Sequence, residues 1–424
     1  MNKSDKTKIL IYHVFRPRKY IVAALYLSIG GFLNGYDTGS IGSITDMPRF
    51  QSTVQKLSPT IRGLTVSFLL LAGTIPSLAS GLLADRFGHL RIVLSGALFF
   101  TLGCAMQAGA NSLLLLLLGR ALAGMGEGLY LGNLNVYICE IAPKARRGMM
   151  VAMPQLMVTL GTCLGYFTCY GTIRIAGDMQ WRLPFIVQAA GGLLFAVGCL
   201  ILPKSPRWLM SQNKQAEALH NMKLLDFEPN EINHDLNQPI EEPVQSTLQG
   251  FKSLFRKEHR FRTWLALFIL GMVQLCGIDG VLYYAPTMFA QAGLPSDTAS
   301  FIASGVSGIL MFAISIPAFL LADSWNRRTC VNTGGLILSA CMIVIGSLYA
   351  SGSVHHDAGA GRWIVMLLIF VFALAYVSTW GMVGKLYASE IQPASHRATA
   401  NAVAQALNFV SVPWSCTRHL VFSP

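Results

Sequence analysis

EIAPKARRG, residues 140–148, and EIQPASHRA, residues 390–398, are two copies of one pattern, E-x-x-P-x-x-x-R-[GA]. Each fixes an acid, a proline and an arginine at the same spacing: Glu140, Pro143 and Arg147 in the first copy, Glu390, Pro393 and Arg397 in the second. A second pair, DRFGHLR from Asp85 and DSWNRR from Asp323, precedes them in the same order. Two motifs repeated in order mark a duplicated chain, so the sequence between the copies decides the architecture.

That sequence is apolar. Hydrophobic runs lie at 20–44, 63–83, 92–110, 113–138, 149–172 and 183–202, and then at 264–291, 299–322, 329–350 and 363–388. An eleventh begins near Ala398 and carries Asn408 and Phe409. About 20 residues of helix cross a hydrocarbon core of about 30 Å, and most of these runs reach or approach that length. The composition agrees: 53% hydrophobic and only 12% charged, where a soluble domain carries about a quarter charged. A cytosolic enzyme is excluded. The reading is an all-α membrane protein of about 11 spans in two six-helix repeats, the second incomplete because SVPWSCTRHLVFSP, from Ser411 to Pro424, leaves no room for a twelfth. Its parts are a cytoplasmic N-terminus (1–19), an N-terminal six-helix bundle (20–202), a cytoplasmic loop with short amphipathic helices (203–263), and a C-terminal bundle (264–424).

The net charge of +12 is topological rather than a nucleic-acid footprint, because the basic residues sit between the apolar runs. With the N-terminus inside, 23 of the 32 lysines and arginines fall on the cytoplasmic side and six on the other. That asymmetry fixes the N-terminus and central loop as cytoplasmic. The loop opens with SPRWLMSQNKQAEALHNMKLL, whose helical periodicity puts Trp208, Leu209, Ala216, Leu219 and Met222 on one face. The nine cysteines lie in or beside apolar segments without C-x-x-C spacing, so neither zinc nor a disulfide framework is indicated. The first apolar run is full length and contains Asp37, so it reads as a retained span rather than a cleaved leader.

Charges within the spans are the strongest chemical signal. Asp37, flanked by glycines in the first span, would cost several kcal/mol if buried alone, so it is neutral part of the time or paired. Arg120 in span four is the nearest partner. Glu127, seven residues on and so on nearly the same helix face as Arg120, is a second buried acid. It either shares a proton or only hydrogen-bonds to neighbouring backbone.

The segments GGFLNGYDTG (30–39), GRALAGMGEG (119–128), VYICEIAPKARRG (136–148), PKSPRWL (203–209), QLCGIDGVLYY (274–284) and WGMVGKLYASEIQP (380–393) carry a resemblance that runs from Tyr20 to Phe409. The sequence resembles the sugar porter branch of the major facilitator superfamily, and more closely its fungal members. The resemblance implies the major facilitator fold and a substrate held midway between the halves. It also implies a monosaccharide or related small polyol moved with a proton, a plasma-membrane location, no cofactor and, by default, a monomer. Asp37 is implied to take up a proton and release Arg120. The alternative is a permanent ion pair that fastens two helices.

Seven positions are implied to touch sugar: Gln155, Gln274, Asp279, Tyr283, Trp380, Lys385 and Asn408. Amides both donate to and accept from hydroxyls, and aromatic faces cover the apolar side of a pyranose. For each, a helix-to-helix hydrogen bond is the plainer alternative. This chain departs from the family where Val273 replaces a glutamine, Asp279 an asparagine, and Met382 and Lys385 a glycine-proline segment ending in tryptophan. Asp279 and Lys385 either pair across spans seven and ten, or Lys385 binds a substrate carboxylate such as a uronate or quinate, or it snorkels to the cytoplasmic edge.

The implied inner gate comprises Asp85, Glu140, Arg147, Asp323, Arg327, Arg328, Glu390 and Arg397, weakened where His89 and Leu90 replace two arginines. The plainer reading is solvated loop charge. Gly124, Gly126 and Gly128 lie in a span with no strand before them, so they read as close helix packing rather than a dinucleotide site. His355 and His356 lack further ligands, and no metal is expected. No Walker, G-x-S-x-G or H-E-x-x-H motif is present. Besides a proton-coupled importer, the sequence leaves room for a carrier of acidic sugars, a sugar sensor without transport, or an inactive truncated product.

Overall fold

The computed structural model describes residues 18–143, 146–230, 232, 255–256, 260–278, 297–322, 324–352, 360–384, 387, 391 and 400–410. Among the described residues there is helix and connecting turn and no strand. The expected first span is a nearly continuous pair, α1 (Lys19–Leu27) and α2 (Ile29–Asp46). Ser28 between them keeps helical dihedrals, φ −64° and ψ −10°, and its hydroxyl donates to Ala24 O at 2.7 Å. The first half continues through α3 (Pro48–Thr53), α4 (Pro59–Phe87), α5 (His89–Ala108), α6 (Leu113–Ile141), α7 (Arg147–Thr172) and α8 (Met179–Ile201). Two short helices, α9 (Pro206–Ser211) and α10 (Gln215–Leu224), follow. The second half contains α11 (Arg260–Leu275), α12 (Asp297–Leu321), α13 (Arg327–Ala350) and α14 (Gly361–Tyr376), the last continued by a π-helical stretch at Val377–Gly384. Residues 400–410 are also helical.

Eight of the described helices are long and apolar enough to cross a membrane. They lie in α4, α5, α6, α7, α8, α12 and α13, and in α14 with its π-helical extension. The first span is not among them because Asn34, Asp37 and several glycines and serines dilute α2. Starts are set by side-chain caps. The Ser58 hydroxyl accepts from Ile61 N at 3.4 Å, that of Ser112 from Leu115 N at 3.3 Å, and Asn326 Oδ1 from Arg328 N at 3.2 Å. The α4-to-α5 corner requires Gly88, whose φ is +91°.

Small residues bring backbones into contact. Gly31, Gly35 and Gly39 on α2 face the Pro154, Val158 and Thr162 carbonyls of α7, where any added Cβ would overlap. Gly161 and Gly165 on α7 face the Phe32 and Tyr36 carbonyls in return. On α6, Gly124 and Gly128 face α4 while Gly126 faces α5. The G-x-G-x-G run is therefore a three-helix contact, the packing reading of that motif.

Aromatic edges fill the first half's core: the Tyr130 ring lies 6.0 Å from Phe100 and 5.4 Å from Phe195. Val365, Ile369, Phe372 and Tyr376 of α14 pack with Val273, Met311 and Leu338 in the second half. The halves meet where Ala152 of α7 packs on Ala318 and Ala322 and on Met382, and where Thr159 and Ser315 hydroxyls lie 3.0 Å apart.

α9 and α10 lie against the bundle end that carries Asp85. Trp208 Nε1 donates to Asp85 O at 2.9 Å, and Leu209, Ala218 and Met222 are buried. One expected face residue is corrected: Ala216 is exposed and Ala218 takes its place. The chain turns between the two helices through Asn213, φ +59°, which resets the helical phase.

Candidate functional site

Asp37 on α2 and Arg120 on α6 meet in the interior. Arg120 is fully buried and Asp37 is 3% exposed. Arg120 Nη1 donates to Asp37 Oδ1 at 3.3 Å and Nη2 to Oδ2 at 3.1 Å, a two-point contact that fixes the planes of both groups. Nη2 also donates to Val66 O at 2.8 Å, and Nη1 to Gln107 Oε1 at 3.5 Å. Gln188 Nε2 donates to Asp37 Oδ1 at 3.4 Å and to Ser40 Oγ at 3.3 Å. Five helices, α2, α4, α5, α6 and α8, thus converge on one ion pair. Arg120 Nε has no acceptor among the described residues, so the cluster is not fully satisfied.

Glu127 is fully buried one layer further along α6. Asn34 of α2 donates its Nδ2 to Glu127 Oε1. The side chain thus pairs with a side-chain amide, a partner outside the two alternatives the sequence left open. Asn34 is half-buried and lines two adjoining cavities. Gln155, Leu131, Val158 and Gln405 also border both. The second cavity adds Thr38, Thr159, Thr162, Gln274 and Asn408 with Tyr376 and Phe409. Hydroxyls, amides and two aromatic rings share one chamber.

Of the expected sugar contacts, Gln155, Gln274 and Asn408 come together there. Asn408 also has the plainer role, with Nδ2 donating to Leu270 O at 3.3 Å. Trp380 is absent from both linings: its Nε1 donates to Val331 O at 2.9 Å and its ring packs beside Gly335. Asp279, Tyr283 and Lys385 lie outside the described residues. Sequence reasoning missed Asn34, Gln107, Gln188 and Gln405. The signal was available in each case, since an amide inside an apolar run needs a hydrogen-bond partner there.

At the bundle end near the first repeat motif, His89 is 3% exposed. Its Nε2 lies 3.4 Å from Glu140 Oε1, and its Nδ1 lies 3.4 Å from Asn133 Oδ1. Asn133 Nδ2 donates to Ser80 O and Leu129 O at 3.2 and 2.9 Å, which fixes its amide with the oxygen toward His89. Both ring nitrogens therefore face acceptors, the arrangement of a charged imidazolium. Where the resemblance implied an arginine, His89 thus faces the acid of the first repeat motif. Asp85 and Arg328 are exposed and Arg147 is half-buried at the start of α7. Arg327 donates to Ala322 O. Asp323, Glu390 and Arg397 lie outside the described residues.

The family described as sugar (and other) transporter matches residues 23–412. The MFS-type transporter criB of Aspergillus cristatus is 31% identical over 390 residues, 90% of this chain and 83% of its own. The high glucose sensor RGT2 of Saccharomyces cerevisiae is 28% identical over 433 residues, 97% of this chain and 56% of its own. The fold is shared with the proton:xylose symporter XylE of E. coli. With 6-bromo-6-deoxy-D-glucose bound, that protein matches at a TM-score of 0.78 with 22% identity, covering 94% of this chain and 87% of that one. The amide-lined chamber between two helical halves, the all-α major facilitator fold and these matches agree: the chain belongs to the sugar (and other) transporter family, and it is a multi-pass membrane transporter rather than an enzyme.

Proposed function

We propose that the chain imports a monosaccharide by alternating access with a proton, the halves 20–202 and 264–424 rocking about the chamber. The N-terminus and the central loop face the cytoplasm, and the membrane is the plasma membrane. The observation that carries the proposal is Asp37, held on both oxygens by Arg120, one helical turn from Asn34 in the chamber wall.

A proton placed on Asp37 removes the negative charge and with it most of the attraction for Arg120. The guanidinium then depends on Val66 O and Gln107, and one of the ties between α2 and α6 is released. A ligand shifts such an equilibrium only by binding the two states differently. Sugar hydroxyls bridging Gln155 of the first half to Gln274 and Asn408 of the second would favour the state in which the walls approach. The incomplete satisfaction at Arg120 Nε supports a pair that exchanges partners over a permanent fastener. The charges at Asp85, Glu140, Arg147, Asp323, Arg328, Glu390 and Arg397 are proposed to hold the cytoplasmic end closed in one of the two states.

Uptake of labelled D-xylose, D-glucose, D-galacturonate and quinate tests this, in cells lacking their own hexose carriers, at external pH 5 and 8, beside Asp37→Asn. We expect uptake to rise at pH 5 and to collapse in the variant. Uptake that ignores pH and survives Asp37→Asn would overturn the proton step. Preference for the carboxylates, lost in Lys385→Met, would assign Lys385 to a substrate carboxylate. The likeness to a glucose sensor favours a second reading, binding without flux. Sugar binding without uptake, with protein present at the membrane, would select it.

A further inference from the structure

Asn34 joins two features that the coupling through Asp37 does not use. Its Nδ2 donates to Glu127, and its side chain lines both cavities. Glu127 lies behind it, fully buried, and is absent from both linings. A primary amide has one donor end and one acceptor end. With one end on Glu127, the other end can be offered to a ligand in the chamber that Asn34 lines.

We propose that Glu127 and Asn34 form a relay in which the protonation state of Glu127 decides which end of the Asn34 amide meets the substrate. With Glu127 as a carboxylate, Nδ2 must face it, and Oδ1 is presented to a substrate hydroxyl. When Glu127 takes a proton from solvent onto a carboxyl oxygen, it donates to Oδ1. The amide turns over, and Nδ2 is presented instead. No other bond forms or breaks, and the proton returns to water on reversal. Asn34 is thereby a substrate-contacting residue, and Glu127 a positioning residue that acts through it.

The surroundings suit this role. Tyr130 on α6 and Cys104 on α5 are titratable side chains within electrostatic reach of Glu127, and Asp37 of α2 and Arg120 of α6 act on the same Cys104. From α4, the backbones of Leu69 and Gly73 face the glycines that flank Glu127. From α7, Pro154 and Val158 pack on the glycines beside Asn34. Asp37 has the guanidinium on both oxygens, whereas Glu127 faces the amide, so a proton on Glu127 need not break the Asp37–Arg120 pair.

The inference rests on the chamber being the sugar site. Its test measures equilibrium binding of D-glucose and D-xylose to the purified full chain in lipid nanodiscs from pH 5 to pH 8. The proteins are wild type, Glu127→Gln, Asn34→Ser and the double variant, each checked for folding by its thermal transition. Wild-type affinity is expected to change about fivefold or more over this range, the lower end of ordinary coupling between sites. Glu127→Gln should reduce the pH dependence to the part carried by Asp37 while still binding. Asn34→Ser should weaken binding and reduce the pH dependence to the same extent, and the double variant should match Asn34→Ser alone, since residues acting as one unit are not additive. A wild-type profile retained by Glu127→Gln overturns the relay and leaves the transport reading standing, as does additivity in the double variant. If Glu127→Gln does not fold, a full wild-type pH profile in Asn34→Ser overturns it equally. No binding of either sugar by wild type at any pH removes the sugar reading and this inference together.

Discussion

In the first half the buried polar groups include Asp37, Arg120, Glu127 and His89. In the second half, among the described residues, they are Thr263, Gln274, Ser304, Ser307, Ser315, Gln405 and Asn408, amides and hydroxyls without formal charge. Both halves descend from one repeat and face the same chamber. The difference is physical, because a buried charge must be paired at a cost of several kcal/mol and its pairing can be switched by a proton. A buried amide offers direction without that switch. Among the described residues, the charged cluster of the first half has the chemistry of a proton switch, and the amides and hydroxyls of the second have that of hydrogen bonding to a ligand.

The contrast is broken most directly at Arg120. Arg120→Leu leaves Asp37 without its cation, and we expect a loss of about 3–5 kcal/mol of stability, read as a lowered thermal transition in detergent. Asp37→Asn in the same background should recover part of it, because the stranded charge is then gone. A variant that unfolds like wild type would show that water or another group satisfies Asp37.

Next in size is His89→Leu, which removes the cation beside Glu140 and an acceptor's partner at Asn133. About 1–3 kcal/mol is expected, and His89→Arg should cost less if its longer side chain reaches Glu140. Equal effects would mean that shape, not charge, holds this corner. In the second half, Gln274→Leu should raise the dissociation constant for the transported sugar about tenfold, the equivalent of one lost hydrogen bond at about 1.4 kcal/mol. The pH profile of uptake should keep its shape. A changed profile in Gln274→Leu would erase the division between the halves.

The smallest effect is expected outside the bundle. Lys204 Nζ lies 2.8 Å from Glu217 Oε1, and this ammonium holds the Glu217 carboxyl below its ordinary pKa. A lowered carboxyl contributes stability that is present above its unfolded pKa and fades as pH falls through the folded one. The pair is exposed, so Lys204→Ala should shift the thermal transition at pH 7 by no more than the scatter of the measurement.

Much of this was legible in the sequence. The repeated E-x-x-P-x-x-x-R motif and the spacing of apolar runs give the helices and their pseudo-symmetry, because burying backbone in lipid leaves few solutions. Asp37 and Arg120 were legible as partners since neither can be buried alone. Trp380 was not: its donation to Val331 O depends on the path of the π-helical stretch at Val377–Gly384, which composition does not encode. Asn34 was passed over because an amide draws less notice than an acid, and its meeting with Glu127 depends on how closely α2 approaches α6.

The glycine contacts between α2 and α7 have a mechanical consequence. Carbonyls seated directly on glycines leave no side chains between the two backbones that could reorient and absorb a small displacement. Asp37 rides on α2 and Gln155 on α7, so the two helices behave as a single stiff lever. Under the proposed coupling, a tilt that begins where the carboxylate lets go of its arginine would reach the chamber wall undamped, and the stroke at Gln155 would be set by geometry rather than by the softness of the packing.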